Sequence, residues 1–351
     1  MSKHYLIGWD IGGAHVKVAT VDKESGVVVN VLQESCPLWK GLDYLKNAVA
    51  TCRAKLPAGH CHHAVTMTGE LVDLFNNRNE GVARLIEAMQ QFLPDEPLAI
   101  FAGRLGLLNV QAVKPQHYAD IASTNWLASV RFAARHLPEG LLVDIGSTTT
   151  DVLAFKNGLA QPQGLTDYQR LATQELVYTG VVRTAVMALT PTVVDEGQQV
   201  GVMAEYFATM ADVYRLTGEL NEAHDQADTA DGAEKTSSAS ARRLARMIGC
   251  DFITEELPRW VRLADHLRGL QLQKIESACN HLIKTTVLNA EAPMIGAGIG
   301  RFLVQALAEQ LARPYQDFSA LCLQPLPDAE LATADCAPAV ALVYLLRDYA
   351  Q

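Results

Sequence analysis

The feature that most narrows the fold is a repeat. Asp10-Ile11-Gly12-Gly13-Ala14-His15-Val16-Lys17-Val18 returns as Asp144-Ile145-Gly146-Ser147-Thr148-Thr149-Thr150-Asp151-Val152, about 134 residues later. Each copy follows a strand-like apolar run, residues 4–9 and 141–143. Each precedes another, Val16 to Val21 and Val152 to Phe155. The pattern predicts two β-hairpins with glycine and an acidic residue at the tip. Many copies at a fixed short period would mean a solenoid. Two copies this far apart predict two lobes of like construction, and 351 residues suit two domains.

The chemistry of such a tip follows from its residue types. Glycine lets backbone N–H groups close on phosphate oxygens, which makes Gly12, Gly13 and Gly146 candidate phosphate contacts. Ser147, Thr148 and Thr149 add hydroxyl donors, with Thr150 completing the run. Asp10 and Asp144, at the strand ends, are candidate catalytic residues and Mg2+ ligands. Asp151 is a candidate base or a strand-end turn partner, and Lys17 either neutralises phosphate or is an exposed strand lysine. A third glycine segment, Gly296-Ala297-Gly298-Ile299-Gly300, lies at a strand-to-helix junction where a nucleotide or substrate backbone would press close. Its third glycine has the wrong spacing for a dinucleotide fingerprint.

Helical spacing is read over 41–56, 80–93, 119–136, 200–220, 240–249, 256–289, 301–313 and 337–348. Trp126, Val130 and Phe132 are core candidates, and Leu98 to Phe101 is a short strand. Residues 221–240 are polar and Ser/Ala-rich, the expected mobile surface segment. The lobes are expected at 1–138 plus about 315–351, and at 139–314. Hydrophobic residues at 49% can fill cores. A net charge of −10 gives no footprint for nucleic acid, so any phosphate site must be built locally. Seven scattered cysteines without a C-x-x-C pair read as reduced thiols. With no signal peptide and no membrane-length apolar run, a cytoplasmic chain without membrane partners is expected.

Four other groups have alternative readings. Arg183 is a candidate substrate-anion clamp or a surface ion-pair residue, and Asp231 a candidate substrate contact or a solvated loop residue. Arg242, Arg243 and Arg246 read as a small basic helix face, either plain surface charge or a site for an acidic substrate group. His60-Cys61-His62-His63 lacks a partner cluster at metal-ligand spacing, and alternation along a strand splits its side chains between two faces.

In this order the three glycine segments resemble the phosphate-1, phosphate-2 and adenosine segments of the actin/Hsp70/sugar-kinase superfamily. The resemblance implies an α/β, ribonuclease H-like fold with a duplicated hairpin phosphate site and Gly296, Gly298 and Gly300 as cofactor contacts. Residues 144–151 and Glu175 to Thr184 look most like the hydantoinase/oxoprolinase branch. More narrowly, nearly the whole chain resembles the tetrahydromethanopterin- and methanofuran-linked one-carbon family, whose archaeal members are methanofuran-biosynthesis synthases. Thr68-Gly69-Glu70-Leu71-Val72-Asp73, Ser123-Thr124-Asn125-Trp126, Thr229-Ala230-Asp231-Gly232 and Ser240 to Met247 carry that likeness. It implies a transferase joining a furanyl methyl diphosphate to the phenol of gamma-glutamyltyramine, with Mg2+ and small-molecule partners. ATP is compatible with the fold but not required, and homo-oligomerisation is left open. Two alternatives stand beside it: an ATP-dependent small-molecule kinase or hydantoinase/oxoprolinase-like enzyme, and a non-enzymatic nucleotide-binding regulator. Ala14-His15-Val16 departs from the Thr/Ser-rich first tip of kinases, which implies weaker phosphate binding there or a ligand other than ATP.

Overall fold

The computed structural model describes residues 3–324, 326 and 331–349; the rest of the expected 315–351 segment lies outside them. The chain divides into two compact units. The first comprises Met1–Gly140, Leu153–Gln169 and Gln316–Gln351, and the second Leu141–Val152 and Arg170–Tyr315.

The first unit is built on β1 (His4–Ile11), β2 (His15–Asp22), β3 (Val28–Ser35), β4 (His60–Met67), β5 (Leu98–Phe101) and β6 (Leu107–Asn109). They form one sheet in the order β3-β2-β1-β4-β5-β6. The hairpin strands β1, β2 and β3 pair antiparallel, while β4 and β5 run parallel to β1. Alternation along β1 explains its two covered faces. Ile7, Trp9 and Ile11 join a core with Leu45, Val49, Val82 and Leu85 from the helices Leu42–Ala54 and Arg78–Phe92. On the opposite face the helix Ala337–Tyr349 crosses at Gly8, where an added Cβ would lie 2.3 Å from the Ala339 carbonyl oxygen.

The other sheet uses β7 (Glu139–Ile145), β8 (Thr150–Lys156), β9 (Leu159–Ala160), β10 (Leu176–Val177), β13 (Met294–Ala297) and β14 (Tyr315–Asp317). Its order is β10-β8-β7-β13-β14, with β9 on the edge of β8. A small ribbon of β11 (Thr192–Asp195) and β12 (Gln198–Gly201) stands apart. Position for position this order matches β3-β2-β1-β4-β5, with β7 and β13 parallel as β1 and β4 are. The sequence repeat is therefore a repeat of sheets, the ribonuclease H-like arrangement of the actin/Hsp70/sugar-kinase fold. No described helix is long and apolar enough to cross a membrane.

Two expectations need correction. Residues 200–220 are helical only over Met210–Thr217. Asp212 accepts from the Thr209 backbone N–H at 3.0 Å to start that helix, and Gly218 ends it in the left-handed region. Gly201 instead pairs with Thr192 in the ribbon. The segment 221–240, expected as polar surface, turns part of itself inward: His224 and Asp225 are buried. Asp225 sits 2.6 Å from the equally buried Arg215 guanidinium, which compensates the desolvation of both.

Candidate functional site

The two hairpins close in the same way. Gly12 N–H donates to His15 carbonyl at 2.9 Å, and Gly146 N–H donates to Thr149 carbonyl at 2.9 Å. In each, the isoleucine carbonyl before the glycine is also engaged from the loop beyond the parallel strand. Thr68 N–H meets Ile11 at 2.9 Å and Gly300 N–H meets Ile145 at 2.9 Å.

Both tips present N–H groups that donate to no acceptor among the described residues, Gly13 and Ala14 in the first, and the second adds hydroxyls and a guanidinium. The outward carbonyls of the second are already used: Val181 N–H donates to Gly146, and Val182 and Arg183 N–H donate to Ser147, at 2.8–3.1 Å. The N–H groups of Ser147, Thr148 and Thr149 donate to no acceptor among the described residues. They lie on a partly exposed turn with three adjacent hydroxyls. Successive N–H groups with no carbonyl beside them attract oxyanions. The Arg183 Nη1 reaches Thr148 Oγ1 at 3.5 Å, which brings a guanidinium to this tip. Asp144 is the penultimate residue of β7, just before this tip, and Gly298 is pressed onto its carboxylate. At Gly298, with φ +76°, an added Cβ would lie 2.3 Å from Ile145 O and 2.4 Å from Asp144 Oδ1. Gly300 is packed on Ile145 and Val181, and Gly296 on Tyr315. The structure thus brings Asp144, Gly146, Ser147, Thr148, Thr149, Arg183, Gly298 and Gly300 into one neighbourhood.

At the first tip, Asp10 is buried and Asn125 Nδ2 lies 3.4 Å from each of its oxygens. Lys17 pairs across the hairpin from Asp10, yet its ammonium donates to the Asp335 carbonyl at 2.7 Å. Gly12 and Gly13 are partly exposed and lie against Thr68 and Val72.

Other candidates fall outside these neighbourhoods. Asp151 lies 2.6 Å from Arg170, itself 2% exposed. That pairing fits a carboxylate neutralising a buried cation better than a base. Asp231 pairs with Arg243 at 3.0 Å and Arg246 at 3.3 Å. Arg243 is fully buried and also holds Asp212 at 2.7 Å, so the basic face read over Arg242, Arg243 and Arg246 is a correction: its middle member is an internal ion-pair hub. The His60–His63 run sits on β4. His63 Nδ1 accepts from the Trp9 indole at 3.0 Å inside the core, while His60 stacks on His4 at the surface. All seven cysteines are free, and burial pushes the Cys36 and Cys52 thiols up to about 12, so neither offers a thiolate at neutral pH.

Three residues carry weight that the hairpin motif did not signal. Gly180 touches the second tip so closely that a Cβ would lie 2.4 Å from Thr148 N. Gln271, buried in the helix Leu257–Thr286, donates to Thr179 Oγ1 at 2.7 Å and Gly180 O at 2.9 Å, fixing that segment. Glu70 is 1% exposed, and burial pushes its carboxyl up to about 7. Only contacts far apart in sequence create these roles.

Among the described residues no group of three or more His, Cys, Asp or Glu side chains could hold a metal. Mg2+ needs only one or two carboxylates beside substrate phosphate oxygens. Asp144, at a strand end beside free N–H donors, fits that mode.

The hydantoinase/oxoprolinase family model matches residues 62–314. A Methanocaldococcus jannaschii protein described as "(4-{4-[2-(gamma-L-glutamylamino)ethyl]phenoxymethyl}furan-2-yl)methanamine synthase" is 28% identical over 288 residues, covering 82% of this chain and 84% of its own. A Methanococcus vannielii protein of the same description is 32% identical over 111 residues, covering 32% and 50%. Among solved structures, nucleotide-free acetone carboxylase aligns with TM-score 0.53 at 10% identity, covering 97% of this chain and 70% of that one.

Proposed function

The chain is an enzyme of the hydantoinase/oxoprolinase family, and from that premise we propose that it makes an aryl ether in methanofuran-type cofactor synthesis. It condenses a furanyl methyl diphosphate, of the 5-(aminomethyl)-3-furanmethanol type, with the phenol of gamma-glutamyltyramine. Diphosphate leaves. The relatives' product name contains this linkage, a phenoxymethyl bridge between a glutamylaminoethyl-bearing ring and a furan. The phenol oxygen bonds to the furanyl methylene carbon. The carbon–oxygen bond to diphosphate breaks, and diphosphate departs with the electron pair.

The observation that carries the reading is the row of undonated N–H groups at Ser147, Thr148 and Thr149, with their hydroxyls and Arg183 beside them. Charge grows on the leaving group as the bond breaks, and fixed donors aimed at that charge favour the transition state over the ground state. Bound Mg2+ would neutralise part of the same charge, with Asp144 as its protein ligand. Gly298 leaves the room that the Asp144 carboxylate occupies.

Titration calorimetry with diphosphate and Mg2+ tests this assignment. Saturable binding that weakens about tenfold in Thr148→Val supports it, since one charge-assisted hydrogen bond is worth about 1.5 kcal/mol. Undiminished binding in Thr148→Val moves the leaving group elsewhere. ATP turnover by the wild type would favour the kinase alternative.

A further inference from the structure

Glu70 has an environment that a structural carboxylate rarely keeps. It sits in the short turn Gly69–Leu71 directly after β4, and the helix Arg78–Phe92 seals it from behind. At Gly81 of that helix an added Cβ would lie 2.3 Å from the Glu70 carbonyl oxygen. One carboxyl oxygen, Oε1, accepts from the Ser123 hydroxyl at 2.6 Å. The other, Oε2, is buried and has no hydrogen-bond partner. A buried, half-satisfied carboxyl is costly, and natural structures keep few of them.

Ser123 is equally unusual. Its φ is +51°, a left-handed conformation uncommon for a residue other than glycine. The Trp126 indole N–H holds its carbonyl at 2.9 Å, so the strained turn is fixed from both sides. Two residues later Asn125 begins the helix Asn125–His136 and faces Asp10. Gly69, on the other flank, comes so close to the first hairpin that an added Cβ would lie 3.2 Å from both Ile11 O and Gly12 O. The two motifs around Glu70 and Ser123 thus converge beside the first tip.

We propose that Glu70 and Ser123 form a proton-accepting pair at the first hairpin. The Ser123 hydroxyl takes the proton of the acceptor's hydroxyl group while passing its own proton to Glu70 Oε1. The chemistry balances: one O–H bond breaks and one forms at Ser123, the displaced proton goes to Glu70 Oε1, and the acceptor oxygen keeps the electron pair as a nucleophile. Ser123 is the residue that meets the acceptor, and Glu70 acts through it. The inference rests on the ether-forming reading for the identity of the acceptor as a phenol. Burial, which lifts the Glu70 carboxyl to about 7, makes it a far better acceptor than an exposed glutamate. Arg78 lowers that value and its ion-pair partner Asp167 raises it.

Two measurements on the full-length enzyme test the pair. The first is the pH profile of kcat for Glu70→Gln and Ser123→Ala, with the ether product quantified. Wild-type kcat is expected to fall tenfold per pH unit below about 7. Glu70→Gln should lose roughly a hundredfold or more at the plateau, with little change in KM, and lose that acid limb. An unchanged limb in Glu70→Gln overturns the proposal. The second is 13C NMR of the carboxyl carbons, which needs no turnover. A resonance titrating near 7, absent in Glu70→Gln and moved upward in Ser123→Ala, supports the pair. A Glu70 carboxyl titrating in the ordinary range overturns it. If the wild type forms no ether, the functional reading fails and the NMR result alone decides the pair.

Discussion

Gly298 shows at the scale of one residue why the second tip tolerates so little change. Its positive φ already disfavours a side chain, and a Cβ would collide with Ile145 O and Asp144 Oδ1. Gly298→Ala should cost roughly 2–4 kcal/mol of stability, read by urea denaturation. Gly180→Ala has normal backbone freedom but meets the tip at 2.4–2.6 Å, so its cost should fall on diphosphate affinity as well as on stability. Glu70 makes the opposite prediction. Its folded-state value lies above the ordinary 4.5, so the protonated form favours the fold. That contribution is full below about 4.5 and is lost as pH rises through about 7. Chemical denaturation should show Glu70→Gln gaining about 3 kcal/mol over wild type at pH 8, with near equality at pH 4.5. A wild-type curve flat over that window would contradict the burial account.

At the scale of elements, the Leu257–Thr286 helix reaches the second tip through one side chain. Gln271 holds Thr179 and Gly180, and Thr150 Oγ1 donates to the Thr179 carbonyl at 2.7 Å. Gln271→Leu leaves buried acceptors unpaired and should weaken diphosphate binding about tenfold by calorimetry. Arg243 is the corresponding anchor among the helices Met210–Thr217 and Ser237–Met247. Arg243→Met removes the cation that Asp212 and Asp231 share, leaving them Arg215 at 3.6 Å and Arg246 at 3.3 Å, and should cost about 3 kcal/mol in the same denaturation assay. These element-level links also mark where the sequence stops being legible. The hairpins were readable because glycine, aspartate and strand alternation are local signals, and β7 and β8 lie where the repeat placed them. The Arg243 hub was not, since arginines at i, i+1 and i+4 look the same whether they face water or an aspartate. Nor was the pairing of Glu70 with Ser123, which only the β4 register and the strained turn bring together. The over-long helix at 200–220 failed because apolar periodicity carries no record of the 192–201 ribbon.

At the scale of the whole molecule, a duplicated sheet supplies two hairpins with one closing geometry and different side chains. The first tip lacks hydroxyls, carrying Ala14 and His15, and lies beside the Glu70–Ser123 neighbourhood. The second keeps Ser147, Thr148 and Thr149 with undonated N–H groups. On the proposed reading, this difference between the two hairpins would let the fold release diphosphate without phosphoryl transfer to an acceptor, since fold by itself does not fix the reaction. The most direct measurement is diphosphate released by the purified chain with Mg2+, the furanyl methyl diphosphate and gamma-glutamyltyramine, beside a reaction containing ATP. The account predicts one diphosphate per ether formed, only when both substrates are present, with ATP unconsumed. Ether formation that requires ATP hydrolysis, or ATP consumption with no diphosphate from the furan donor, would contradict it.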